Sequence, residues 1–179
     1  MEQEFKEKTL SSKMIYQGKI LNLRVDQVLL PNNKEGTREV VEFSGAVAIV
    51  AITEDKKVLL VSQYRYPVGE VLLEIPAGKM DSQESPEACA RRELKEETGY
   101  SAALMQKIAE FYTTPGFTTE LMHVYLARDL TGGEQSPDED EFVRVESFTL
   151  EEAIQMILHG KIRDGKSITG LLAAYYLLK

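Results

Sequence analysis

The sequence predicts a mixed α/β (α+β) fold, with a mixed sheet between helices and a small antiparallel sheet ahead of it. Three observations carry that expectation. Strand-like segments fill residues 13–75, one charged helix interrupts them, and three more strands and two helices follow. Such an order packs as a sheet with helices against it, because each element must bury one face on another. Gly45 to Thr53 (GAVAIVAIT) is unbroken apolar sequence, as expected of a strand covered on both faces. With 179 residues, 43% of them hydrophobic and 28% charged, the chain suits one globular domain with a small appendage.

In order, residues 1–11 read as frayed. Lys13 to Phe43 reads as a three-stranded meander, with a turn at Gly18 and a hairpin loop over Pro31–Gly36. So small a sheet needs another surface to cover it, either the rest of the chain or a second copy. Strands are then expected over Gly45–Thr53, Lys57–Tyr66 and Val71–Ile75. A helix lies within Gly78–Tyr100, started at Ser82 or at Ser85-Pro86 and stopped by Gly99. Strands at Ala102–Tyr112, Leu121–Ala127 and Glu141–Phe148 follow, with a polar and mobile loop expected over Asp129–Asp140. Thr149 and Glu152 have capping-box spacing for a helix to about Leu158, and a last helix spans Ser167–Leu178. The division expected is 1–43 for the N-terminal sheet and 44–179 for the main domain.

The helix within Gly78–Tyr100 carries the chemistry. Glu93, Glu96 and Glu97 stand at i, i+3 and i+4 and share one face. Like charges at that spacing repel, and a divalent cation among the oxygens relieves the repulsion. Mg²⁺ and Mn²⁺ suit such a donor set. A solvated acidic face is the plain alternative from the triplet alone. The wider stretch decides between them. Gly78, five residues, Glu84, seven residues, then Arg92-Glu93-Leu94-x-Glu96-Glu97-x-Gly99-Tyr100 resembles the Nudix box, with an aromatic at the last position where an aliphatic residue is usual.

The resemblance implies an α/β/α sandwich and a divalent metal held by Glu93, Glu97 and the Ala77 carbonyl. Glu96 is a third ligand or stands behind the ligands. It further implies that Arg92 orients the carboxylates, and that Glu84 serves either as a salt-bridge partner or toward the metal. Lys79 follows the box glycine on the substrate side. Other segments resemble the ADP-ribose pyrophosphatase branch. These are Thr114-Pro115-Gly116, with Pro115 sixteen positions after Gly99, and Gln63-Tyr64-Arg65 ahead of Leu73-Glu74-Ile75-Pro76-Ala77-Gly78. A planar guanidinium such as Arg65 is shaped for bidentate phosphate contact, and Glu74 lies close to it. By the same resemblance Arg38, Glu39, Lys19 and Ile20 face an adenine and Glu120 a terminal ribose. Tyr16 or Phe43 would serve as an aromatic platform. The catalytic base is expected at Glu139, with Glu141 as an extra metal ligand and the two roles exchangeable.

Composition sets outer limits. The net charge of −8 argues against a general nucleic-acid or membrane-surface binder, so positive charge must be local. No apolar run approaches the roughly 20 residues of a membrane span. MEQEFKEKTL does not read as a signal peptide. Cys89 is the one cysteine, which excludes an intrachain disulfide and fits a reducing cytoplasm. The expectation is a cytoplasmic homodimer with exchanged N-terminal sheets, acting on a nucleoside diphosphate sugar: ADP-ribose first, an ADP-glucose or GDP-mannose type second, a non-catalytic nucleotide-binding module third.

Overall fold

The computed structural model describes residues 4–137 and 141–179. Among these, ten strands and three helices occur, in two compact units. One runs up to Gly45 and includes Tyr112–Leu121; the other comprises Ala46–Phe111 and Met122–Lys179.

The first unit is a sheet in the order β1-β2-β3, of β1 (Lys8–Gln17), β2 (Asn22–Leu29) and β3 (Glu35–Glu42). Both pairings are antiparallel. β1 begins at Lys8, inside the stretch expected to fray, because its backbone pairs with β2 from Lys8↔Leu29 onward. Gly18 makes the expected turn, donating from its amide to Leu21 O at 3.0 Å. Every residue of β1 is exposed, including Leu10, Met14, Ile15 and Tyr16. The segment 112–121 adds to β3: Val41 N donates to Phe117 O at 2.8 Å and Thr119 N to Val41 O at 3.0 Å.

The second unit holds a mixed sheet in the order β10-β5-β4-β9-β8. Its strands are β4 (Ala46–Ile52), β5 (Lys57–Arg65), β8 (Ser101–Tyr112), β9 (Leu121–Thr131) and β10 (Arg144–Thr149). Two short strands lie off that path, β6 (Glu70–Glu74) on β5 and β7 (Ala77–Lys79) on β4. β4 runs parallel to β9 and antiparallel to β5 and β7. As its apolar run requires, β4 is buried through Ala46–Ala51. Val47, Ile49 and Ala51 pack with Cys89, Ala90 and Leu94 of helix α1 (Pro86–Thr98). On the other face Val50 and Val124 approach helix α3 (Gly165–Leu178) so closely that a Cβ on Gly170 would lie 3.1 and 3.2 Å from them. The sheet is therefore covered on both sides.

Helix starts follow their caps. Ser85, not Ser82, caps α1, accepting from Ala88 N at 3.2 Å, with Pro86 in the first turn. Glu84 consequently lies outside the helix. Gly99 ends α1 at φ 77°. α2 (Leu150–Leu158) has the predicted Thr149–Glu152 capping box. α3 starts earlier than expected because Asp164 caps it, accepting from Ser167 N at 2.9 Å. The expected mobile loop over Asp129–Asp140 is partly replaced by order. β9 continues through Thr131, and Ser136 N donates to Glu96 O at 3.1 Å.

Candidate active site

The site of the second unit is built where β7 passes under α1. β7 pairs with β4 in the register Val47↔Gly78 and Ala48↔Ala77. This brings the backbone of Gly78 against Glu93: a Cβ there would lie 1.9 Å from the Glu93 carboxyl carbon. Glycine is required because the carboxylate occupies the space of a side chain. One turn on, Glu97 accepts from Ala77 N at 2.9 Å. Glu93 and Glu97 are buried, at 8% and 1% exposure, while Glu96 is half-buried.

Arg92 ties the outer carboxylates together. Its Nη1 donates to Glu93 Oε1 at 2.6 Å and Glu96 Oε2 at 2.9 Å. Its Nε and Nη2 donate to Glu84 at 3.1 and 3.0 Å. The Arg92 contact holds Glu84 below the ordinary carboxylate value. Glu93 is pushed up by burial, against the pull of Arg92. Among the described residues no Arg or Lys is paired with Glu97. Burial, with the charges of Glu93 and Glu141, pushes it up to about 8, against the Ala77 N–H bond and the distant Arg65.

A second cluster surrounds Glu74, which is 1% exposed. Arg65 grips it bidentately, Nε to Oε1 at 2.9 Å and Nη2 to Oε2 at 2.8 Å, and Nη2 also donates to Gln63 Oε1 at 3.0 Å. Lys166, at the start of α3, pairs with the same carboxylate and with Asp164 at 3.0 Å. Burial would raise Glu74, but Arg65 and Lys166 outweigh it and hold the group below its usual range. Lys166 was invisible in the sequence, since no motif surrounds it.

The other predicted residues stand as follows. Lys79 and Glu141 are exposed in the second unit. In the first unit Arg38 donates from Nε to Glu7 Oε2 at 2.9 Å, and Lys19, Ile20 and Glu39 are exposed. The Thr114-Pro115-Gly116 turn is exposed, closed by Phe117 N donating to Thr114 O at 3.2 Å, and Glu120 accepts from Thr113 Oγ1 at 2.6 Å. Glu139 lies outside the described residues.

Among the described residues no group of three or more His, Cys, Asp or Glu side chains stands ready to hold a metal. The donor chemistry nonetheless fits a hard cation: buried carboxylate oxygens, like charges that raise one another, and no protein cation on Glu97.

The family described as NUDIX domain matches residues 42–169, and one described as nucleoside diphosphate sugar hydrolase N-terminal domain matches residues 7–41. The chain belongs to the NUDIX family. Among curated relatives, an ADP-ribose pyrophosphatase of Bacillus subtilis is 45% identical over 90% of this chain and 88% of its own. A methanol dehydrogenase activator of Bacillus methanolicus is 43% identical over 97% of this chain and 93% of its own. A solved structure of an ADP compounds hydrolase superposes with a TM-score of 0.86 at 21% identity, covering 97% of this chain and 94% of that one, and shares the fold. The NUDIX stretch that matches contains α1, β7 and both carboxylate clusters. Divalent metal is a general need of this family.

Proposed function

We propose that the chain hydrolyses the diphosphate of ADP-ribose to AMP and ribose 5-phosphate in the presence of Mg²⁺, with Mn²⁺ as a substitute. The observation that carries the reading is the Glu93–Glu97 turn laid against Ala77-Gly78, with the buried Glu97 carboxylate paired to a backbone N–H rather than to a cation. The relative named an ADP-ribose pyrophosphatase supports the choice of substrate. Glu93, Glu96, Glu97, Glu141 and the Ala77 carbonyl would hold the metal. Bound there, a divalent cation supplies charge neutralisation at the diphosphate and a more acidic water. Arg65, preset by Glu74, presents its guanidinium to a phosphate, and Lys79 contacts the substrate. Glu139 takes the proton of the attacking water, with Glu141 as the exchangeable candidate. The anhydride bond breaks and the leaving phosphate carries away the electron pair.

In this reading residues 1–43 form the dimerisation and substrate-contact sheet and 44–179 the hydrolase. Two chains exchange N-terminal sheets, and Lys19, Ile20, Arg38 and Glu39 meet the adenine. Thr114-Pro115-Gly116 and Glu120 line the ribose side. Support for the exchange is the exposure of all of β1, apolar residues included. The location is the cytoplasm, in keeping with a single, buried, unbridged cysteine; no helix among the described residues is long and apolar enough to cross a membrane.

The test is product analysis with ADP-ribose, ADP-glucose and GDP-mannose plus Mg²⁺. A preference of roughly tenfold for ADP-ribose is expected; a preference that large for either other sugar shifts the assignment to it. The relative named as a dehydrogenase activator supports a second reading. Assay of methanol dehydrogenase with and without the chain decides it.

A further inference from the structure

Among the described strands β6 pairs with β5 alone, so its other edge carries no strand. The segment leading into α3 meets it at three points, in the same order along both. Arg163 Nη2 donates to Glu70, where β6 begins, and Lys166 Nζ donates to Glu74, where it ends. Just past the strand, Ile75 N donates to Ser167 Oγ at 2.8 Å. The Arg163–Glu70 pair is about half exposed, and such pairs contribute little. The inner two differ. The Lys166 side chain is 13% exposed and Ser167 is fully buried, so water does not readily replace their bonds. Arg65 gives Nε and Nη2 to Glu74 and Gln63, which leaves Nη1 outside both pairs on a side chain that is 39% exposed. Arg65 and Glu74 both hang from the β5–β6 pair, so their two-point contact can swing as one body. Lys166 adds a third point from another element, and Asp164, 3.0 Å away, holds the ammonium in turn.

We propose that Lys166 is a positioning residue for substrate: from α3 it pins Glu74, and through Glu74 it sets the direction in which Arg65 offers its guanidinium to the diphosphate. The inference rests on the hydrolytic reading above, in which Arg65 meets a phosphate. A contact of that kind is made in the bound substrate and in the transition state alike. Disorder at Arg65 therefore weakens binding and leaves the chemical step as it was. Plain support of the fold behaves differently: its loss lowers melting temperature and the active fraction and leaves KM untouched.

The experiment compares the wild type with Lys166→Met, Lys166→Arg, Arg65→Met and the double variant Lys166→Met/Arg65→Met. Steady-state kinetics with Mg²⁺ on the diphosphate sugar that the wild type hydrolyses are measured, together with melting temperature. In Lys166→Met, KM is expected to rise roughly tenfold with kcat within about twofold, as for other outer residues that orient a binding group. Lys166→Arg keeps the charge and the donors and should recover most of the KM. In the Arg65→Met background, Lys166→Met should change KM little, because the guanidinium it positions is gone. Unchanged KM in either single variant, a kcat loss alone that follows melting temperature, or additive KM losses in the double variant would overturn the proposal. Should Lys166→Met melt below the assay temperature, Lys166→Gln, which keeps a neutral donor, is read by the same criteria. A wild type inactive on every sugar instead overturns the hydrolytic reading, an outcome recognisable before any variant is made.

Discussion

Glu74 and Glu97 are equally hidden, each at 1% exposure, and lie in the same unit. Their titrations diverge. Glu74 has Arg65 and Lys166 on its oxygens, and they hold it below its ordinary value. Glu97 has one backbone N–H and two carboxylates nearby, and rises to about 8. Burial acts on both in the same sense; the difference is where the compensating charge comes from. The protein completes the Glu74 cluster by itself, which makes it a rigid mount for Arg65. In the other cluster it sets Arg92 on Glu93 and Glu96 but, among the described residues, pairs no cation with Glu97, as expected where a cation from solution completes the site.

The sharpest way to break that contrast is Glu97→Gln. Hydrolysis should fall by about a hundredfold or more, since a group that holds the site's cation is lost, while the metal-free protein at neutral pH melts higher because folding no longer has to protonate a buried carboxylate. Activity and melting curves check both halves. Unchanged Mg²⁺-dependent turnover would remove Glu97 from the metal assignment.

Glu74→Ala should do the reverse, damaging the fold first. Breaking a buried pair and stranding its partners costs about 3–5 kcal/mol. The lower end applies here because the Arg65 side chain is 39% exposed. Denaturant unfolding measures it.

The pH dependence separates the two carboxylates by sign. Glu97 titrates higher folded than unfolded, so its contribution is fully present below its ordinary value of 4.5 and is lost as pH rises through about 8. Metal-free protein should therefore lose melting temperature over that window, and Mg²⁺ should restore it by displacing the proton. Glu74 contributes above the ordinary carboxylate value, and that contribution is lost as pH falls through its lower folded value. Melting curves against pH, with and without Mg²⁺, test this; the slope between about pH 4.5 and about 8 should shrink in Glu97→Gln.

The smallest effect is expected for Glu84→Gln, which lies outside α1 and loses only the charge on its Arg92 bonds. About 1 kcal/mol is expected from the weakened charge-assisted bonds, with kcat altered less than in Glu97→Gln. A larger activity loss than in Glu97→Gln would move Glu84 to the metal.

Much of the fold was legible because it rests on local patterns. The apolar run of β4 foretold a strand covered twice, and Thr149 with Glu152 foretold the α2 cap. The errors have one origin. Lys8–Ser11 read as frayed because strand order there comes from β2, not from its own residues. The stretch up to Ser136 read as part of a mobile loop because polar and glycine residues look mobile until α1's last carbonyls hold them, here through Gln135 and Ser136; residues 138–140 lie outside the described residues.

By itself the sequence determined the carboxylate spacing, a glycine at position 78 and the basic residue among the acids, since periodicity and residue type suffice for these. Only the tertiary structure decided how each charge behaves. Arg92 settles on Glu84, Glu93 and Glu96, Lys166 reaches Glu74 from 92 positions away, and Glu97 is left with Ala77 N. Charge in a protein interior depends on burial and on partners brought together through space, and neither is written in the order of neighbouring residues.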